Sequence, residues 1–429
     1  MSLMRGIRLF ALLVVALLVA SCGSGGSSGS KSANMRFMNA LVDGGTINVA
    51  VGSNTPVTAL PFEGLTGFQQ VDSGTQEIKV SVSGGTSTVI DQNLPLSSDA
   101  NYTYVVYGTA SAPLSVITVD DVTTPSSGIF LLRVTNAAFG TGGIDVYITA
   151  PGASLDTASP NISNVAVGGT SGLASLTPGA LQVRLTLNNS KQVIYDAGTL
   201  TFANQQSYGI VAYTKGSSTL VNAAVLTLSA GGTGSIANSK IAQFKVIHAS
   251  PGTGAINAFV DGNVALANIP YQGASSYGLV TSGTHTVTIE TAAAPGAVIA
   301  SAQPPLAAAT DTSVVLTGTP GATAALVLND NNLPGSAGRA RLRFVNVAIG
   351  LGAVDVYVNF APKVAALATN AASGYQEFVE DTYAINFDLA GTTNVVLNLP
   401  SVSLSAGHTY TLYLVGTTSS LAGVLTRDD

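Results

Sequence analysis

MRFMNALVDGGTINVAV (residues 35–51), LRVTNAAFGTGGIDVYI (132–148), FKVIHASPGTGAINAFV (244–260) and LRFVNVAIGLGAVDVYV (342–358) carry one pattern four times. In each, a basic residue stands between two apolar ones: Arg36, Arg133, Lys245 and Arg343. Three residues on comes Asn39, Asn136, His248 or Asn346, and twelve residues after the basic one comes Asn48, Asp145, Asn257 or Asp355, again with apolar neighbours. Alternation of this kind is the period of a half-buried strand, so the apolar neighbours point to a core and the residue between them points away. If the intervening segment turns about its midpoint, the two strands run antiparallel, and Arg36 faces Asn48, Arg133 faces Asp145, Lys245 faces Asn257 and Arg343 faces Asp355. An exposed pair contributes only about 0.2–1 kcal/mol. These pairs are therefore expected to be structural and to fix register, because a slip of one residue would turn the apolar set to water.

Two more signals recur downstream of each copy. A turn leads into strict alternation in SGTQEIKVSV from Ser73, PGALQVRLTL from Pro178, SGTHTVTIET from Ser282 and EDTYAINFDL from Glu380. A near-continuous apolar run ending in a small residue follows: YTYVVYG from Tyr102, YGIVAYT from Tyr208, TSVVLTG from Thr312 and YTLYLVG from Tyr410. Val, Ile, Thr and Tyr at period two between Gly, Asn, Asp and Pro clusters spell strands, and a sustained helical period is confined to the amino-terminal segment. Units of roughly 90–100 residues with about seven short strands each fit immunoglobulin-like antiparallel β-sandwiches. The expected fold is all-β, four tandem sandwiches at 35–121, 129–229, 241–332 and 339–429, strung as beads on short polar connectors that contain Gly or Pro.

The third copy, VIHASPGTGAINAFVDG with ANIPYQGASSYGLVTSGTHTVTIE after it, resembles the bacterial envelope family known as domain of unknown function 4397. That family reads as a His-Ala-Ser-Pro turn, a Val-Asp-Val-Tyr-Val strand and a Gly-containing turn into an alternating strand. The fourth copy keeps VDVYV but has Asn346 and Val347 in place of His248 and Ala249 and lacks the Pro; the first and second copies diverge further. The resemblance implies a secreted or surface β-domain and supplies no catalytic residues.

Ahead of the repeats, MSLMRGIRLF places Arg5 and Arg8 before an uncharged apolar stretch from Leu9 to Ala20. This is the layout of a secretory signal peptide and is too short for a membrane span, which needs roughly 20 residues. Val19, Ala20 and Ser21 precede Cys22, the chain's one cysteine, in an arrangement that resembles the bacterial lipobox. The resemblance implies that residues 1–21 are removed, that Cys22 receives a diacylglycerol through its thiol and that its amine is acylated. Two or three chains hold a protein on a bilayer where one does not. Residues 22–34, rich in Gly and Ser, then form a flexible tether. Gly23 in place of Asp favours, by resemblance to lipoprotein sorting in Gram-negative cells, the outer membrane of the cell envelope.

Losing Arg5 and Arg8 and no acid takes the formal charge from −6 to −8, a surface that excludes nucleic acid as a partner. With no second thiol, disulfides are ruled out, and stability rests on packing. GGSSG at 25–29 matches the hydrolase nucleophile elbow, but it lies in the tether with no strand before it or helix after it. His248, His285 and His408 have no second His or Cys at ligand spacing, so no zinc site is assigned. His285 is expected to face solvent and His248 to anchor a turn by hydrogen bonding. Asp120, Asp121, Asp330, Asp428 and Asp429 close three units with carboxylates; without the loop spacing of a calcium hand they read as solvated strand ends. Tyr102, Tyr208 and Tyr410 read as buried tyrosines bonded to backbone. No catalytic, cofactor or metal residue is assigned. The expected function is a lipid-anchored, non-enzymatic surface protein that spaces, binds or adheres, with envelope proteins or polysaccharide as partners. The alternative is an envelope hydrolase or glycan-binding protein with its site in inter-strand loops.

Overall fold

The computed structural model describes residues 31–428 except 43, 83–87, 216–217, 219, 230, 334 and 336–337. Cys22, the lipobox, GGSSG and Asp429 lie outside the described residues. Among the described residues there are strands and no α-helix, and so no helix long and apolar enough to cross a membrane.

The first unit sets the plan. Its strands are β1 (Ser32–Leu41), β2 (Ile47–Val51), β3 (Asn54–Leu60), β4 (Gln69–Asp72), β5 (Gly74–Val82), β6 (Thr88–Leu96), β7 (Asn101–Thr109) and β8 (Ala112–Val119). They form two sheets, β4-β1-β7-β8 and β3-β2-β5-β6. The same two sheets recur for 130–227, 241–330 and 339–427, and the second unit adds Gly234–Ala237 as a fifth strand. The units are therefore two-sheet sandwiches on the first unit's eight-strand plan, with added or divided strands in the other three, and each contains one parallel ladder: β1 runs parallel to β7, and its counterparts at 130–137, 241–248 and 339–346 do the same. A parallel partner needs a long connection, and β2 through β6 provide it.

Each sandwich encloses its own core. Phe37, Val49, Ile78 and Tyr104 meet in the first, and Phe130 stacks on Phe202 at 4.5 Å in the second. Phe244, Ile256, Ile289 and Val314 fill the third, and Phe344, Val356, Phe387 and Leu412 the fourth.

Two further apolar clusters correct the picture of separate beads. Met38, Val105 and Tyr107 of the first unit pack with Ala137, Val211, Tyr213 and Leu226 of the second. Ile247 and Val315 of the third pack with Val345, Tyr413 and Val415 of the fourth. The outer face of the β1–β7 sheet is thus covered by the neighbouring unit, so β7 is buried on both sides along Asn101–Gly108. Two-sided burial explains the continuous apolar run in that strand where one-sided burial gives alternation. The small residue that ends it has a local cause. Gly318 and Gly416 have φ of +86° and +104°, and a Cβ on either would lie 2.1 Å from the carbonyl oxygen of Ala322 or Ser420.

The connector between the third and fourth units is also not exposed, since Asn332 and Leu333 are buried, whereas residues 123–128 are exposed except Pro125. Proteolysis is expected at 123–128. Because the flanking units share a buried face, the two fragments should still co-elute in native size-exclusion chromatography; separate elution would contradict the paired arrangement.

Candidate functional site: ionic junctions between paired units

The structure does not form the proposed register pairs. Arg36 lies on β1 and Asn48 on β2, in different sheets, and the same separation holds for Arg133 and Asp145, Lys245 and Asn257, and Arg343 and Asp355. The intervening segment crosses from one sheet to the other instead of closing a hairpin. The basic side chains do point away from their own core, but that face meets another unit and not water: Arg36, Lys245 and Arg343 are 0–2% exposed.

Their partners are the acids that the sequence suggested were solvated. Arg343 of the fourth unit pairs with Asp330 of the third, and Lys245 of the third pairs with Asp428 of the fourth. The two ion pairs are reciprocal, as in an isologous contact between like faces. Arg133 of the second unit likewise pairs with Asp120 of the first. The fourth combination is missing its acid, because Leu228 occupies the position of Asp120 and Asp428: its N–H bonds the first residue of the seventh strand, Ser207, as theirs bond Asn101 and Thr409. Arg36 therefore bonds its own unit's Asp120 at 2.6 Å and turns Nη1 toward the Gly232 and Thr233 carbonyls of the second unit, at 3.5 and 3.3 Å. Asp120, Asp330 and Asp428 are buried, whereas Asp121 is exposed and accepts from the Asn101 backbone and side chain.

Threonines and aromatic rings complete each junction. Thr103 and Thr411 accept from the Nε of Arg36 and Arg343 at 2.7 and 2.8 Å. Arg36 lies over Phe68 at 4.9 Å, Lys245 over Tyr277 at 4.8 Å and Arg343 over Tyr375 at 4.9 Å. Burial and the neighbouring Arg133 lower the Arg36 pKa more than Asp120 restores it. At Arg343 burial also acts downward, but Asp330 and the surrounding groups outweigh it and the net shift is upward. The sequence shows the cause: two guanidiniums share one acid at the first junction, while the second has an acid for each cation.

A second contact joins the first two units. Glu63 accepts from Tyr213 at 2.7 Å and Asn222 at 2.9 Å and pairs with Lys215 at 3.2 Å. Burial pushes the Glu63 pKa up, but these three partners outweigh it and leave it below the usual carboxylate range. Its stabilisation is present above the unfolded pKa and is lost as pH falls through the folded one.

The residue twelve positions on has a different task. Asn48, Asp145, Asn257 and Asp355 accept, at 2.6–2.8 Å, the backbone N–H of Ala59, Asn164, Asn268 and Ala366 on the adjacent edge strand. Those four residues have φ of +50° to +55°, a left-handed bulge in which a non-glycine residue is strained. The aspartates reach further: Asp145 also holds the Asn189 N–H and Asp355 the Gly391 N–H, each at 2.9 Å.

The residue three positions on binds the turn after the first strand. Asn39, Asn136 and Asn346 are fully buried, donate to two carbonyls and accept an N–H two residues on. His248 takes the same place, with Nε2 3.0 Å from the Gly254 carbonyl and Nδ1 accepting from Ser250. This assigns the neutral Nε2–H tautomer, and burial lowers the His248 pKa. Tyr102, Tyr208 and Tyr410 each accept a backbone N–H from five residues upstream, as their reading anticipated. His285 does not simply face solvent: its ring bonds Asp261 at 2.7 Å and the Thr281 carbonyl at 2.8 Å. His408 stands edge-on to Tyr410.

Among the described residues no group of three or more His, Cys, Asp or Glu is placed to hold a metal. A shallow groove of about 360 Å³ at the second junction is lined by Lys245, Gln272, Ser275, Ser276, Thr426 and Arg427, but Asp428 already holds the Lys245 ammonium. The junctions therefore do mechanical work, fixing one unit against the next. Sequence reasoning missed Glu63, Asp311 and the aromatic rings; the one available signal was an aromatic residue recurring after the Gly-containing turn at Phe68, Tyr277 and Tyr375.

These features define a chain of tandem β-sandwich units joined through buried ionic faces. The chain belongs to the family described as Domain of unknown function (DUF4397), which matches residues 33–147, 242–357 and 350–429. No curated protein matches it. Among solved structures it is similar to a family-26 carbohydrate-binding module of Eubacterium rectale Amy13K in complex with maltoheptaose, at 13% identity over 42% of this chain and 91% of the module, with a TM-score of 0.15. It is also similar to the TIE protein of Bacillus anthracis, at 9% identity over 86% of this chain and 65% of that one, with a TM-score of 0.16. At such TM-scores neither likeness carries an argument.

Arg343→Met leaves Asp330 buried without its counter-charge and is expected to cost about 3–5 kcal/mol in chemical denaturation; a loss under about 1 kcal/mol would mean the pair is dispensable. His248→Asn should keep stability within about 1 kcal/mol at neutral pH, where His248→Leu orphans a carbonyl and an N–H and costs more. Because the folded His248 pKa lies below the unfolded one, its contribution is present above the unfolded pKa and falls as pH drops toward the folded one; the Asn variant should lack that part of the slope.

Proposed function

We propose that the chain is a lipid-anchored protein of the bacterial cell envelope, placed at the outer membrane through Cys22, and that its paired sandwiches form a non-enzymatic arm that spaces and binds. The observation that carries the reading is the fate of the repeated charged residues. Arg36, Arg133, Lys245, Arg343, Asp120, Asp330 and Asp428 are all engaged in unit-to-unit contacts. Held in this way, these residues do not serve as the acid and base of an open cleft, the usual mark of an enzyme. A Gly/Ser tether from Cys22 would set this arm off from the lipid.

Polysaccharide is favoured as the partner by the outer face of the fourth unit's second sheet. There half-buried Tyr357 lies beside Pro362 on one neighbouring strand and Asn386 on the other, and Asn386 bonds Asn398 on the next. A ring with a proline on one side and planar amides on the other offers an apolar face with donors and acceptors beside it, the pairing a sugar ring requires.

Wild-type protein is expected in the membrane fraction with metabolic lipid label, and Cys22→Ser is expected to lose the label and either remain uncleaved or leave the membrane. Unlabelled wild-type protein in the soluble periplasm would end the lipoprotein reading. Separately, retention by envelope polysaccharide should weaken in Tyr357→Ala; equal retention of both would remove that face from the binding role.

A further inference from the structure

A third buried carboxylate lies at the second junction with no ion-pair partner among the described residues. Asp311 begins the seventh strand of the third unit, where the other units have the neutral Asn101, Ser207 and Thr409, and it stands directly opposite Asp330 in the ladder. Asp330 is neutralised by Arg343 and bonded by Tyr277 and Ser313. Asp311, 1% exposed, is held among the described residues by neutral donors from three parts of the chain: Ser218 of the second unit, Gln243 of the third unit's first strand and Asn332 of the connector to the fourth. Around it, Asp330 and Asp428 pair with Arg343 and Lys245, half-buried Arg341 shares the Tyr375 ring with Arg343 and bonds Asn331 and Leu333 on either side of Asn332, and Tyr277, Tyr375 and Tyr413 are titratable neighbours. Asp330 and Asp428 each have a cation in contact, whereas Asp311 has no ion-pair partner among the described residues, and a buried unpaired charge is relieved by taking up a proton.

Asp311 is also where the two pairs of units meet. Its neighbour Ala309 packs into the core of the second unit, Ile241 packs against the same core, and the Lys240 N–H bonds the Asp196 carbonyl at 2.7 Å. We infer that this meeting point is a protonation-controlled contact, closed when Asp311 carries a proton and loosened when Asp311 is ionised. Protonated, Asp311 buries no unpaired charge; ionised, it holds a charge that only separation of the second unit can hydrate. Burial, the largest influence, with Asp330 adding to it, pushes Asp311 up to about 7 against the pull of its three donors. Because the closed-state value lies above the ordinary one, closure is fully favoured below the ordinary carboxylate range and is lost as pH rises through the closed-state value. The contact holds whether or not Cys22 carries lipid.

Amide hydrogen exchange on the full chain, corrected for the intrinsic dependence on hydroxide, tests this. Protection at 239–243 and 309–313 should fall about 30-fold between about pH 5.5 and about pH 8.5, with the first unit's core as the unchanged reference. Asp311→Asn should show high protection at both pH values. Asp311→Ser, the residue that the second unit has at this position, supplies the same comparison if the Asn variant folds poorly. Equal wild-type protection at the two pH values, or a pH dependence that survives in the variant with a native circular dichroism spectrum, would overturn the inference.

Discussion

A charged side chain on the outer face of a strand whose outer face is covered must find a counter-charge within reach, because an unpaired buried charge costs several kcal/mol. Arg36, Arg133, Lys245 and Arg343 are in that position, and the way the units meet follows from how each is satisfied. An acid at the close of the eighth strand, presented by the neighbouring unit, answers Arg133, Lys245 and Arg343. The pairing demands that two like faces meet in one orientation, since a sliding or rotated contact would strand both charges. The apolar residues around the pairs supply the attraction, and the ions supply the geometry.

Repetition with substitution makes the physical roles visible. Where Leu228 replaces the expected acid, Arg36 turns to carbonyls and to its own unit's Asp120. Where His248 replaces Asn, one ring nitrogen donates and the other accepts, so the turn keeps its hydrogen bonds with a bulkier group. Where Asp replaces Asn at the strand facing the bulge, the second carboxylate oxygen gathers a further loop. The same position can be acid, amide or imidazole provided the donors and acceptors balance. At Asp311 an acid stands where the other units are neutral, and it lies where the second unit meets the third.

An arm built this way has few soft joints. Within each pair the units share a buried face, so relative motion would break ion pairs in a low-dielectric setting, whereas the polar contacts from the second unit to the third include the Ser218 bond to Asp311 and the Lys240 bond to the Asp196 carbonyl. If the chain stands on a membrane as proposed, stiffness along most of its length would hold its far units at a fixed reach. A single adjustable joint would then set the direction of the far pair.

The sequence by itself determined the strands, the fourfold repeat, the Gly-dependent hairpins and the backbone-bonded tyrosines, because each depends on residues close in the chain or on a period of two. It also placed the basic residues on the outer face. What the outer face meets was decided only by the tertiary structure. Alternation says which way a side chain points and nothing about whether water or another unit lies there, so exposed pairs between Arg36 and Asn48 and their counterparts were the natural reading of the spacing. The near-continuous apolar run of YTYVVYG did hold the contrary signal, since a strand wet on one face alternates and this one does not. The partners themselves, Arg343 with Asp330 and Lys245 with Asp428, lie 13 and 183 residues apart. The 13-residue spacing recurs between Asp120 and Arg133 and so was present in the sequence, but no local pattern links Lys245 to Asp428, and only the packing of one sheet face against its like brings those together.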